Sequence, residues 1–262
     1  ILGSTLGTLI FALVFSMSQG IHLASGMDLF LGILSGIGWA AGQIVTFYCF
    51  SLIGSSKVMP ITTAFQLLAA SLWGVVALGN WPGVSAKILG AFSLILIIFG
   101  ASLTVWSEEK TPASTGLLRK VVIFLALGAI GYWAYSAAPQ ASNLSGQEAF
   151  LPQAIGMLLT ALIYSIVISF KEKSKMAIFE SVSYKHIISG FFFAFAALTY
   201  LISAQPDMNG LATGFILSQT SVVLATLTGI WFLNQRKTKK EMLLTIIGLV
   251  LIIIAASITV TI

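Results

Sequence analysis

Along this 262-residue chain the apolar positions neither alternate nor recur at a helical interval; they form unbroken runs separated by short polar stretches. The runs fall at 2–19, 29–53, 58–78, 84–106, 120–138, 150–170, 186–204, 210–233 and 242–261. Each is near the roughly 20 residues that a helix needs to cross an apolar layer about 30 Å thick. A transmembrane β-barrel would show segments of about 10 residues alternating apolar with polar, and no such segment is present. Inside lipid each peptide group needs a partner within its own segment, so runs of this length read as helices. The expected fold class is an all-α membrane protein, a polytopic helical bundle with nine visible transmembrane helices.

Composition supports this reading. Hydrophobic residues make up 58% of the chain and charged residues 8%, against about 25% charged in a soluble domain. Such a chain cannot cover its surface in water, so its solvent is the lipid bilayer. The pI of 9.4 is no nucleic-acid signature, because the basic residues sit in short connections rather than on a solvated face. Their distribution orients the chain instead. Twelve of them (Lys57, Lys110, Arg119, Lys120, Lys171, Lys173, Lys175, Lys185, Arg236, Lys237, Lys239 and Lys240) fall on one side of the nine-run arrangement, and only Lys87 on the other. The basic side is expected to be cytoplasmic, with the C-terminus outside. The lone cysteine, Cys49, lies within an apolar run and excludes an intrachain disulfide.

Two segments repeat each other at a spacing of 155 residues: LILIIFGASLTV from Leu94 and LVLIIIAASITV from Leu249. The preceding runs match in part, GVVAL at Gly74 against GIWFL at Gly229. If the last five runs form one repeat, the first four form a repeat short of its first helix. The expected organisation is a first repeat at 1–106, a cytoplasmic linker at 107–119 and a second repeat at 120–262. An odd number of helices per repeat inverts the second copy, giving ten helices in a 5+5 inverted repeat with one helix expected ahead of Ile1.

In a membrane helix the informative residue is a polar one at depth. All eight acids fall near run ends, as do His22 and His186. The pattern offers no proton relay, no metal-ligand cluster, no nucleophile–base pair and no cofactor motif, so an enzyme is poorly supported. The runs do contain neutral amides, hydroxyls and aromatics. Trp39, Gln43, Thr46 and Phe50 share one helical face. Thr62, Thr63 and Gln66 lie in the third run, Tyr132, Trp133 and Tyr135 in the fifth, Tyr200 in the seventh, and Ser218 and Gln219 in the eighth. Each polar group also has a plain role as interhelical glue. Trp39 and Trp133, well inside their runs, are expected to line a cavity, whereas Trp81, Trp106 and Trp231 read as interface anchors. Amides that both donate and accept, beside aromatic faces and without charge, suit an uncharged polyhydroxy ligand. Gly32 with Gly36 and Gly38 with Gly42 form small-xxx-small patterns for close helix packing, and Pro60, Pro139 and Pro152 are expected to mark helix ends.

The segments Gly38–Gln43 (GWAAGQ), Pro60–Gln66 (PITTAFQ), Gly131–Tyr135 (GYWAY) and Phe215–Gln219 (FILSQ), taken in order, resemble the bacterial glucose/ribose porter family of glucose-uptake proteins within the drug/metabolite transporter superfamily. The resemblance implies ten helices in a bacterial plasma membrane and import of a neutral monosaccharide, glucose first among candidates, by alternating access. Protons are the coupling ion commonly described for members, although no central acid is visible here. The expected substrate-binding set is Trp39, Gln43, Thr62, Thr63, Gln66, Tyr132, Trp133, Tyr135, Tyr200, Ser218 and Gln219, at mid-membrane between the repeats. Two other readings stand beside it: an exporter or exchanger of another neutral metabolite, such as a nucleoside or amino acid, and a membrane receptor that moves nothing.

Overall fold

A computed structural model describes residues 1–108, 112–172, 180–218, 221–235 and 237–260. The described residues form eleven helices: α1 (Leu2–Gln19), α2 (Gly26–Ile53), α3 (Ser55–Val76), α4 (Val84–Val105), α5 (Pro112–Gln140), α6 (Gly146–Glu172), α7 (Ser181–Lys185), α8 (Ile187–Ser203), α9 (Gly210–Ser218), α10 (Val222–Trp231) and α11 (Lys239–Val260). No strand is present among them. Eight helical stretches are long and apolar enough to cross a bilayer, and α8 adds a shorter apolar one. The protein is a polytopic all-α membrane protein.

The apolar runs and the helices correspond, but α5 starts at Pro112, inside the expected linker at 107–119, α7 lies in the loop expected before the seventh run, and the prolines fall differently. Pro60 and Pro152 lie inside α3 and α6 rather than at their ends, and only Pro139 stands beside a terminus. Both inner prolines fall in the second turn of their helices, where the missing N–H removes one early backbone bond and leaves the rest of the ladder intact.

Two compact units are built from these helices. The first comprises 1–44 and 131–209, the second 45–130 and 210–262, so each draws on both parts of the sequence. In the first unit the glycines set how closely helices approach. A Cβ on Gly36 would collide with the Gln153 carbonyl of α6, and one on Gly38 with the Gly131 carbonyl of α5. Reciprocally, a Cβ on Gly156 would meet the Ile33 carbonyl and one on Gly131 the Gly38 carbonyl. The two small-xxx-small pairs of α2 thus seat two different helices on neighbouring faces. Gly7 of α1 and Gly190 of α8 bring those two helices together in the same way.

In the second unit α4 and α11 cross antiparallel. Thr104 lies against Gly248, and Gly100 lies between Gly248 and Ile252. The spacing of 155 seen in the sequence recurs here in the packing. From 90 to 103, each residue is buried, half-buried or exposed as is its counterpart from 245 to 258. Ile97 and Ile252, Ala101 and Ala256, and Leu94 and Leu249 are among the buried counterparts.

The same spacing recurs where α3 and α10 end. Ala77 N–H donates to Trp73 O at 2.8 Å, and Phe232 N–H to Thr228 O at 2.9 Å. Asn80 N–H donates to Gly74 O, and Gln235 N–H to Gly229 O. The turns pass through left-handed residues at Gly79 (φ 69°) and Asn234 (φ 53°). Glycine adopts that conformation without steric cost, and asparagine tolerates it better than most residues.

Candidate functional site

In the first unit a set of buried and half-buried polar side chains on α2, α5, α6 and α8 forms a connected layer. Tyr132 of α5 is buried, and its hydroxyl donates to Gln43 Oε1 of α2 at 2.8 Å. One turn on, Ser136 Oγ donates to the Tyr132 carbonyl at 3.1 Å, and its side chain is in hydrogen-bonding reach of the Tyr200 hydroxyl on α8. The Tyr200 ring stacks on Tyr135, with centroids 5.4 Å apart and planes 26° from parallel. Ser35 Oγ of α2 donates to the Tyr135 carbonyl at 2.7 Å and accepts from Gln153 Nε2 of α6 at 2.7 Å. Four helices therefore contribute one neutral layer of two amides, two serines and three phenols, with no charged group among them.

Helical spacing explains the layer. Tyr132, Tyr135 and Ser136 are three and four apart, so one face of α5 presents them together. Close seating of Gly38 on Gly131 lets α2 bring Gln43 within reach of that face. Trp39, one turn before Gln43, is buried and packs on Phe193 of α8 at a centroid distance of 4.3 Å. Trp133 lies elsewhere: it is 37% exposed, on the side of α5 that carries Ile123, Leu127 and Ile130.

In the second unit α3 carries Thr62, Thr63 and Gln66, all buried, with Gln66 Nε2 donating to Thr62 Oγ1 at 3.2 Å. Ser218 at the end of α9 turns its hydroxyl back to the Phe215 carbonyl at 2.7 Å. Gln219 lies outside the described residues. Among the described residues no group of three or more His, Cys, Asp or Glu could hold a metal ion.

Two members of the layer, Ser35 and Gln153, escape sequence reading. Gln153 stands beside a proline at the start of an apolar run, where it passes for a helix-end residue, yet it is wholly buried. An amide inside an apolar run was the signal available. Trp81 moves in the opposite direction: expected as an interface anchor, it is 5% exposed, with its ring filling the notch over Gly90.

The chain matches the family described as Sugar transport protein over residues 1–262. It belongs to this family of sugar transport proteins. Its relatives agree in kind. It is 68% identical over 262 residues to a protein of Enterococcus faecalis named "Putative ribose uptake protein RbsU", covering 100% of this chain and 89% of the relative. A protein of the same name from Lactiplantibacillus plantarum is 67% identical over the same shares. One from Staphylococcus aureus is 59% identical over 260 residues, covering 99% of this chain and 88% of the relative. As a member of this family the chain is a multi-pass sugar transport protein of the bacterial cell membrane. Its uncharged layer holds amide and hydroxyl groups that can both donate and accept hydrogen bonds.

Proposed function

We propose that this protein imports a neutral monosaccharide, ribose ahead of glucose, by alternating access. The carrying observation is the neutral layer of Gln43, Tyr132, Ser136, Tyr135 and Tyr200 in the first unit. Among its members Gln43 keeps an amide nitrogen for a ligand, since its Oε1 is taken by Tyr132. The tyrosine rings offer flat faces to the C–H side of a sugar ring. The name the relatives share supports ribose over the glucose expected from the family resemblance. A phosphorylated or carboxylate substrate would need a cation in the layer, and no cation belongs to it.

The matched burial of α4 and α11 and the matched turns after α3 and α10 support an inverted repeat beneath this activity, with the lysine-bearing ends cytoplasmic and the C-terminus outside. In that arrangement the two copies exchange roles as access alternates. Counterflow of radiolabelled ribose into proteoliposomes tests the proposal. Stereoselective inhibition by unlabelled ribose is expected, with weaker inhibition by glucose. Equal inhibition by a nucleoside or an amino acid would favour the exchanger reading, and binding without accumulation the receptor reading.

A further inference from the structure

The turns that follow α3 and α10 each deliver an amide to the start of another helix. Asn80, after α3, accepts the Ala212 N–H of α9 on Oδ1 at 3.1 Å. Gln235, after α10, accepts the Ser56 N–H of α3 on Oε1 at 2.8 Å, and its Nε2 donates to Ser55 Oγ at 3.0 Å. In both cases the amide satisfies a backbone donor that the first turn of a helix leaves open.

Asn80 and Gln235 stand 155 apart, as do Gly74 and Gly229, which make room for them. A Cβ on Gly74 would come within 2.8 Å of Asn80 Oδ1 and 3.2 Å of the Ala212 nitrogen. A Cβ on Gly229 would come within 3.2 Å of Gln235 Oε1 and 3.1 Å of the Ser56 nitrogen. Gly54 (φ 81°) immediately precedes α3 and Gly210 (φ 68°) is the first residue of α9, so both capped helices start at a glycine of positive φ. The two assemblies thus match in turn, amide, glycine notch and capped nitrogen.

They also close a circuit. Each amide is fixed by its own backbone N–H to the end of one helix while its side chain holds the beginning of the other. The α3 helix is therefore tied to α9 at its last turn and to the end of α10 at its first. Its 22 residues place those ties about 33 Å apart, one at each face of the membrane. The helices so tied carry Thr62, Thr63 and Gln66 on one side and Ser218 on the other. At the Asn80 end the next residue, Trp81, is held at φ 59°, an uncommon conformation for a bulky side chain. Its ring fills the notch above Gly90 of α4.

We infer that Asn80 and Gln235 are a matched pair of latches, each closing the α3/α9–α10 pair at one membrane face, whose separate release sets the side from which the pair is entered. This rests on the transport reading. A helix cap with no further role would weaken the fold wherever it is lost. Latches related by the repeat act with opposite sidedness.

The test uses the full chain with Cys49→Ala, carrying a single reporter thiol at Val58 or at Ala70 of α3. Both positions are buried, near the Gln235 and Asn80 ends respectively. A membrane-impermeant maleimide is applied to right-side-out and inside-out vesicles without sugar, so the result does not depend on which sugar is carried. With Asn80→Leu, the thiol at 70 should react about tenfold faster from one side only, the population shift that a lost helix cap gives. With Gln235→Leu, the thiol at 58 should react faster by a similar factor from the other side. Asn80→Asp and Gln235→Glu keep an acceptor for the capped N–H and should behave as the parent. If the Leu variants do not reach the membrane, Asn80→Ser and Gln235→Ser, which shorten the side chain, are read in the same way. Faster reaction of both thiols in both variants, the same sidedness for both, or no change in either would overturn the inference.

Discussion

Gln153 offers a test in which stability alone reports on the buried layer. Ser35 Oγ has one proton, and it is committed to the Tyr135 carbonyl. Ser35 can therefore only accept from Gln153, which places Nε2 toward Ser35 and leaves Gln153 Oε1 buried without a donor. The change Gln153→Met nearly conserves volume and removes both groups. Loss of the Nε2 bond costs about 0.5–1.5 kcal/mol, and removal of an unsatisfied buried acceptor returns about 1–3 kcal/mol. At central values the gain exceeds the loss, so the variant should be about as stable as the parent or more stable, by up to about 2.5 kcal/mol. Ser35→Ala should behave oppositely, because it strands both Gln153 Nε2 and the Tyr135 carbonyl. Thermal unfolding in detergent, followed by intrinsic fluorescence, ranks the three proteins. If Gln153→Met melts well below the parent, Oε1 has a partner that the geometry above lacks, and the reasoning fails.

Tyr132→Phe removes the donor to Gln43 and should reduce ribose counterflow about two- to tenfold, the range for one neutral hydrogen bond. Combining it with Gln43→Leu should cost less than the product of the single effects, because the two changes break one bond. Gly248→Val forces side-chain atoms against the Gly100 carbonyl at the α4–α11 crossing, and overpacking of this kind costs about 1–3 kcal/mol; an equal melting temperature would contradict that crossing. Lys237, whose ammonium donates to the Thr104 carbonyl at the end of α4 and to Thr245, has its pKa lowered to about 8 by burial and by nearby Lys57. Below about 8 both folded and unfolded chains carry the charge. Between about 8 and the ordinary 10.5 the unfolded chain binds more protons, so the stability owed to Lys237 rises with pH across that window. Lys237→Met should flatten that part of the melting-temperature profile relative to the parent, and an unchanged slope would refute the assignment.

Much of the fold was legible because lipid leaves the chain few options. Continuous apolar runs had to be helices, and glycines four apart had to be contact faces; Gly36 and Gly38 proved to seat different helices. The aromatic residues were harder. Trp39 and Trp133 look alike in sequence, both being indoles well inside apolar runs. One packs on Phe193 and the other lies on an exposed stripe, because the rotation of each helix about its axis depends on neighbours that an all-round apolar run does not specify. Trp81 was misread for a related reason. Its place at a run end suggests an interface anchor, but the turn geometry that swings it over Gly90 depends on a left-handed backbone that composition does not announce. Gln43 and Tyr132 were identifiable as residue types, whereas their bond depends on how closely α2 and α5 approach. Gln153, next to Pro152 near the start of an apolar run, has the sequence position of a helix-end residue, and only the packing of α6 against α2 shows it buried.

The repeat shows which sequence signals such a chain retains. LILIIFGASLTV and LVLIIIAASITV are alike largely because lipid and a common crossing select the same apolar residues, so their likeness alone says little about ancestry or mechanism. The turns after α3 and α10 share almost no identities: Gly79 faces Asn234, and Asn80 faces Gln235. Yet each pair conserves what the geometry demands, a residue tolerant of positive φ followed by an amide long enough to reach a helix start. Gln235 reaches Ser56 and Ser55, whereas the shorter Asn80 reaches Ala212. The equivalence lies in backbone tolerance and hydrogen-bonding capacity rather than in letters. A sugar carrier has reason to retain such polar turns, because the caps fix helices whose apolar faces alone would leave their axial position loosely specified.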